Sequence, residues 1–173
     1  MKKIIITFAI VFSFSNSAMA TAPDWVLPNA KVTPGALNTS VTQANIKDNV
    51  CKANWTSTIR PTVAYTNKLK ATQMAGDYKY LQAQFGTASS AYEEDHLISL
   101  QLGGNPTDPK NLWPEPYAAN NARKKDVVET KLKKLVCAGT IKLADAQKMI
   151  STDWAAAYKK YASKDTVVED LDN

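Results

Sequence analysis

The sequence predicts an α+β domain that is mostly helical and contains one small β-hairpin and one disulfide. Two segments in the second half of the chain, residues 120–137 and 143–161, repeat apolar residues at helical spacing. Residues 92–113 lack this period and contain a Gly-Gly pair and a proline-rich turn, which is typical of a hairpin. The only two cysteines, Cys51 and Cys137, allow a single intramolecular bridge.

The first 20 residues predict a secretory signal peptide. Lys2 and Lys3 precede an apolar run over residues 4–14, and residues 18–20 read Ala-Met-Ala, the small-x-small form of a cleavage site. The run is too short for the roughly 20 residues that span a bilayer as a helix. The alternative is an uncleaved N-terminal anchor. We therefore expect a periplasmic or secreted bacterial protein that has no membrane contact after cleavage.

The exported chain is expected to be one domain over residues 21–164, to behave as a monomer, and to be followed by an acidic tail over residues 165–173. An oxidising compartment favours a disulfide between Cys51 and Cys137 over a zinc site. Loss of the two N-terminal lysines lowers the formal net charge from +5 to +3, and the tail carries four acids and no base. A basic body of this kind suits a polyanionic partner.

The first half of the domain predicts two helices. Residues 21–37 are expected to be an extended lead-in, and residues 41–51 a short helix that leads to Cys51. Residues 53–65 are expected to be irregular or strand-like around Arg60-Pro61, because a residue before proline is pushed out of the helical region. A second helix is expected over residues 66–75, ending at Gly76-Asp77.

The hairpin is expected to begin with an arm over residues 92–102 that ends at Gly103-Gly104. A turn over residues 105–109 follows. Residues 111–113 are the expected return arm, ended by Pro114 and Pro116. The strongly helical segments 120–137 and 143–161 come next, separated by Gly139, and the apolar stripe of the last helix is expected to be core.

The only histidine of the chain, His96, stands at the start of the segment DHLISLQLGGNPTDPKNL. This segment resembles the HNH, or His-Me finger, nucleases, whose pattern is Asp-His, a few apolar residues, Gly-Gly, a turn, Asn-Leu, and a His or Asn that opens a helix. The resemblance to the superfamily covers about residues 92–130. The wider chain resembles a group of exported bacterial HNH-type proteins through PGALN, DHLI, LGG, NLWPEP and VCAG. The resemblance implies a ββα-metal core over about residues 92–136.

The resemblance also implies site roles. His96 is the general base that activates water, which suits an imidazole with a pKa near 6.5. Asp95 is a ligand to one divalent cation, Mg²⁺ or alternatively Mn²⁺. Asn111 orients the histidine ring through a side-chain or backbone hydrogen bond. The third position is Asn120 by count from Asn111, or Asn121 by its place three residues before a lysine, and Asn121 is slightly favoured.

The resemblance implies an exported, metal-dependent endonuclease that hydrolyses DNA, with RNA as the alternative substrate. Arg123, Lys124 and Lys125 lie where a nucleic-acid backbone would pass, although such a run is also typical of a solvated helix face. Arg60 fits either a phosphate or a core carboxylate, and the carboxylate is favoured. One alternative is a non-catalytic exported binding module on the same scaffold. Another is a toxin or envelope enzyme for a different phosphodiester, and an inhibitor or immunity protein is left open as a partner.

Overall fold

The computed structural model describes residues 25–118 and 121–162. The predicted signal peptide, the acidic tail and Asn120 lie outside these ranges. The architecture is α+β and mostly helical, which confirms the predicted fold class. The strands are β1 (Tyr92–His96) and β2 (Leu112–Pro116), and the α-helices are α1 (Trp55–Ile59), α2 (Val63–Ala75), α3 (Gln82–Phe85), α4 (Asn121–Cys137) and α5 (Leu143–Tyr161). Short 3₁₀ helices cover Gln43–Asp48, Lys79–Leu81, Ser89–Ala91, Leu100–Leu102 and Pro109–Asn111.

The hairpin pairs β1 with β2 in antiparallel register, with His96 opposite Leu112 and Tyr92 opposite Pro116. The first arm is shorter than expected, because the chain after His96 turns into a 3₁₀ helix. The return arm is longer, and the prediction that Pro114 ends it was wrong. Hydrogen bonds from Leu97 N to Asn111 O and from Tyr117 N to Ala91 O put the odd-numbered residues at the bonded positions. The prolines therefore interrupt no bond of the ladder.

The segment around Arg60-Pro61 is more helical than expected. Helix α1 ends directly before Arg60, which is extended at φ −62° and ψ 130°, and α2 begins three residues later. The side chain of Thr62 caps α2 by accepting a hydrogen bond from Tyr65 N. Pro61 therefore excludes only Arg60, the residue before it, from helical backbone angles. The helix expected over residues 41–51 is present as the 3₁₀ helix Gln43–Asp48.

Helices α4 and α5 confirm the two predicted C-terminal helices and pack against each other. Their shared core consists of the buried residues Val128, Leu132, Val136, Ala146, Ile150 and Trp154. Helix α5 is not continuous, because Asp153 has non-helical backbone angles. The carboxylate of Asp153 accepts a hydrogen bond from Ala156 N and so caps the second half of the helix.

The predicted disulfide joins Cys51 to Cys137, with a Cα–Cα distance of 5.6 Å. It ties the first 3₁₀ helix to the end of α4 and is compatible with an extracytoplasmic location. A second core cluster lies between α2 and the hairpin and contains Met74, Tyr78, Leu81, Tyr92, Leu97 and Trp113. Trp113 is fully buried there. Among the described residues, no helix has the length and apolar character needed to cross a membrane.

Candidate active site

The alternation of β1 sends Asp95 and His96 to opposite faces of the hairpin. Glu93 and Asp95 share one face, and the register places Glu115 of β2 directly opposite Glu93. Helix α4 covers this face and contributes Lys125 to Asp95 and Asn121 to Glu115. The face of Glu94 and His96 points away from α4.

Three carboxylates form a candidate metal centre on the α4 face. One oxygen each of Glu93, Asp95 and Glu115 lies within 4.8 Å of the other two. Glu115 is fully buried, and its Oε2 accepts no hydrogen bond from the described residues. Carboxylate oxygens are the donors that Mg²⁺ and Mn²⁺ prefer, so the donor set fits a hard divalent cation. Asp95 was predicted as a ligand, whereas Glu93 and Glu115 were not.

A lysine already occupies one side of this cluster. Lys125 Nζ contacts Asp95 Oδ2 and Glu129 Oε1 and donates a hydrogen bond to the carbonyl oxygen of His96 at 2.7 Å. Its side chain is 1% exposed. It therefore cannot contact a nucleic-acid backbone in this conformation, contrary to the role predicted for it. Lys125 lies on the inner face of α4 with Val128 and Glu129. Because it follows Arg123 and Lys124, the sequence suggested an exposed position instead.

Burial and charge set the protonation of the cluster. Burial raises the pKa of Glu115 well above its usual value, against the opposing Lys125 ammonium. Burial also acts to raise the pKa of Asp95, but the Lys125 ammonium outweighs it and the pKa lies below its usual value. Burial acts to lower the pKa of Lys125, yet the surrounding carboxylates hold it well above normal. These shifts favour the carboxylate form of Asp95 and the ammonium form of Lys125, whereas burial favours the protonated form of Glu115.

The imidazole of His96 is held in one orientation by the loop between the strands. His96 is 4% exposed, and its Nε2 lies 3.0 Å from the carbonyl oxygen of Pro106. A carbonyl oxygen only accepts, so Nε2 carries the proton and Nδ1 is the basic nitrogen. Burial lowers the pKa of His96, although the Asp95 charge opposes this. The ring is therefore neutral at pH 7 and able to accept a proton.

Asn111 is buried and holds the inter-strand loop rather than the ring itself. Its Oδ1 accepts a hydrogen bond from Ile98 N, and its Nδ2 donates to Ile98 O and Asn105 O. Asn105 directly precedes Pro106, whose carbonyl contacts His96. The predicted orientation of His96 by Asn111 is thus indirect. Gly104 is required in the same loop, because a Cβ there would lie 1.7 Å from Ile98 O.

Asn121 lies beside the carboxylate cluster, but its amide is fully engaged. Its Oδ1 accepts a hydrogen bond from Val26 N, and its Nδ2 donates to Glu115 Oε1 at 2.8 Å and to Val26 O. The oxygen that a cation would need is thus already used. In this geometry Asn121 positions Glu115. Asn120 lies outside the described residues.

The other two cations predicted to bind nucleic acid lie near the protein surface. The side chain of Arg123 is 71% exposed, pairs with Asp126 and lies 5.8 Å from the Tyr117 ring centroid. Lys124 Nζ lies 4.4 Å from the ring centroid of Trp25. Contact of Arg123 and Lys124 with a nucleic-acid backbone remains a prediction.

Glu94 is a second carboxylate of unusual environment, on the same face of β1 as His96. Both of its oxygens are buried and accept no hydrogen bond from the described residues. Burial, followed by the charge of Asp95, raises the pKa of Glu94 to about 8, against the opposing charge of Lys70. Only the packing of α2 against the hairpin could reveal this burial.

The groove along α5 does not coincide with these residues. It has a volume of about 550 Å³ and is lined by Ile141, Met149, Tyr161 and their neighbours. None of the predicted site residues lines it. The groove is therefore separate from the candidate site on the hairpin and α4.

The hairpin carries a neutral imidazole, that of His96, and a carboxylate cluster that includes the preceding residue, Asp95. Such a set can deprotonate water and can hold a cation beside an anionic substrate. Comparisons with family models, with curated proteins and with solved structures gave no match.

Proposed function

We propose that this protein is a metal-dependent endonuclease of HNH type that hydrolyses phosphodiester bonds, with DNA as the first substrate to test and RNA as the second. The observation that carries this proposal is the hydrogen bond between His96 Nε2 and Pro106 O, at a strand whose opposite face carries the Glu93–Asp95–Glu115 cluster. The bond leaves a neutral imidazole with one basic nitrogen, and His96 directly follows one of the three oxygen donors in the chain.

His96 is the general base in this proposal. Its Nδ1 takes the proton of a water molecule that attacks the phosphorus atom. The bond to Pro106 fixes the tautomer and the ring orientation, and it would stabilise the imidazolium that forms. Burial keeps the ring neutral before the reaction.

Glu93, Asp95 and Glu115 would hold the divalent cation, which supplies positive charge to the phosphate and to the leaving oxygen. Asn121 supports this set by donating a hydrogen bond to Glu115. Because His96 is the last residue of β1, a phosphate beyond the end of the strand could be reached from both faces of the hairpin.

A second candidate function is a non-catalytic binding module on the same scaffold. It is favoured by the contact between Lys125 and Asp95, because an internal ammonium already neutralises the predicted metal ligand. The engaged amide of Asn121 favours it too. In this alternative the buried charges serve only to join α4 to the hairpin.

Cleavage assays separate the two functions. The oxidised protein is incubated with plasmid DNA and with RNA in the presence of Mg²⁺, Mn²⁺ or EDTA, beside His96→Ala and Asp95→Asn. We expect metal-dependent cleavage that is lost in His96→Ala and partly restored by added imidazole. Asp48→Asn changes an exposed acid in the 3₁₀ helix Gln43–Asp48 and is the control. A folded protein that leaves every nucleic acid intact would exclude the nuclease and support the binding module.

Binding of the cation is measured without turnover. Electron paramagnetic resonance of Mn²⁺ reports the affinity of the wild-type protein and of Glu115→Gln. We expect the variant to bind Mn²⁺ about tenfold more weakly or worse, because one of three carboxylates is lost. Glu129→Gln, which alters a Lys125 contact but retains the three carboxylates, is the comparison. Equal affinities in the wild type and Glu115→Gln would exclude Glu115 as a ligand.

A further inference from the structure

Arg60 is an exposed cation in the connection between α1 and α2. It follows the last residue of α1, and its backbone N–H bonds Thr56 O at 3.1 Å. Within the residues that the structure describes, its guanidinium has no ion pair and no hydrogen bond. The core carboxylate that the sequence favoured as its partner is therefore not used. An arginine that is fixed at its backbone and unpaired at its head group is available for a ligand.

The start of α2 is tied to the loop that holds His96. Tyr65, five residues after Arg60, donates a hydrogen bond from its hydroxyl to Thr107 O. Thr107 directly follows Pro106, whose carbonyl contacts the imidazole. The connection between α1 and α2 therefore lies alongside the His96 loop. Pro61 and the Thr62 cap fix its backbone.

Arg60 leads into the helix that packs on the hairpin. Helix α2 contacts both strands, and its Lys70 donates a hydrogen bond to Tyr92 O at 2.9 Å. Together with the contact between Tyr65 and Thr107, this packing places the connection that carries Arg60 near the His96 loop. Arg123 and Lys124 lie on α4, the helix that covers the opposite, carboxylate face of the hairpin.

We propose that Arg60 binds the phosphate group of the substrate on the His96 side of the hairpin. The planar guanidinium matches two phosphate oxygens at once, which a point charge does not. The ligand class is a phosphodiester anion. This inference rests on the proposed function, since it assumes that the substrate approaches His96.

The test measures binding apart from cleavage. Fluorescence anisotropy of a labelled 12-nucleotide DNA strand in EDTA reports the Kd of the wild type, Arg60→Ala, Arg60→Lys and Lys47→Ala. Lys47 is an exposed cation on the 3₁₀ helix Gln43–Asp48, so its removal matches the change in charge. We expect Arg60→Ala to raise Kd about tenfold, Arg60→Lys to lie between, and Lys47→Ala to change Kd less than about threefold. Circular dichroism confirms that each variant is folded.

The outcomes for Arg60 and for the nuclease are distinguishable. Binding that weakens in Arg60→Ala while the wild type cleaves nothing supports the phosphate site and contradicts the endonuclease. Cleavage by the wild type with equal Kd and KM in Arg60→Ala and Lys47→Ala overturns the role of Arg60 and leaves the nuclease intact. A wild-type protein that does not bind the strand also overturns it. With turnover, a higher KM at nearly constant kcat is the expected signature.

Discussion

The buried ammonium of Lys125 and the partly exposed carboxylate of Asp95 form an ion pair that joins α4 to β1. The same ammonium contacts Glu129 one helical turn further along α4 and the backbone carbonyl of His96. A residue in the middle of a surface-like basic run thus becomes the internal cation of the candidate site. Its contacts bring the helix and the end of the strand together.

Removal of Lys125 is expected to destabilise the fold strongly. Lys125→Met leaves the buried carboxylate of Glu129 and the partly exposed carboxylate of Asp95 without a cation. Removing one partner of a buried ion pair typically costs about 3–5 kcal/mol of unfolding free energy. Lys134→Met removes the same charge from an exposed position in the last turn of α4 and is expected to cost less than about 1 kcal/mol. Urea unfolding of the two variants measures the difference. Similar losses would show that the buried pairs add no stability.

The raised pKa of Glu94 predicts that the free energy of unfolding falls as the pH rises from about 4.5 to about 8. The folded protein keeps the Glu94 proton up to a pKa of about 8, whereas the ordinary value is 4.5. Between these values the folded state binds more protons than the unfolded state, so the free energy of unfolding decreases with pH. Glu129, whose pKa burial raises to about 7, acts in the same direction.

The pH dependence is tested with Glu94→Gln, which carries no titrating proton. Between pH 5 and pH 8, the variant is expected to lose less unfolding free energy than the wild type, by on the order of 2 kcal/mol. Asp77→Asn changes an exposed acid after α2 and is the matched control. Parallel curves for the wild type and Glu94→Gln would contradict the raised pKa.

The disulfide is expected to contribute a large part of the stability. Cys51 and Cys137 are separated by 86 residues, and the chain-entropy model assigns about 4–5 kcal/mol to a loop of that length. Cys51→Ser combined with Cys137→Ser is expected to lower the unfolding free energy by up to this amount. Calorimetry of the oxidised protein and the double variant measures it. The reduced wild type controls for the hydroxyls introduced by serine.

Gly104 tests the loop that holds His96. An added Cβ would lie 1.7 Å from Ile98 O and 2.8 Å from Asn111 Nδ2, so the backbone must move. We expect Gly104→Ala to cost more than about 3 kcal/mol of unfolding free energy. Gly76→Ala is the matched control, because an added Cβ there would meet Thr72 O at 3.5 Å, an ordinary contact distance. Equal effects of the two substitutions would show that the loop adapts without cost.

The helices were predictable because apolar spacing is a local signal. The disulfide was predictable because the chain has only two cysteines. Helices α4 and α5 follow from apolar spacing, and two cysteines leave one pairing. The hairpin was predicted but not its bounds, since the register decides whether a proline interrupts a bond. That register depends on the loop held by Asn111, which is a tertiary feature.

By itself, the sequence determined the α+β class, the positions of α4 and α5, the cysteine pairing and the segment that carries His96. The tertiary structure alone decided which charges are buried. Glu115 lies opposite Glu93 because of strand register, and Lys125 faces Asp95 because α4 packs on that side of the hairpin. The protonation of these groups depends on burial and on neighbours distant in sequence, neither of which local spacing contains.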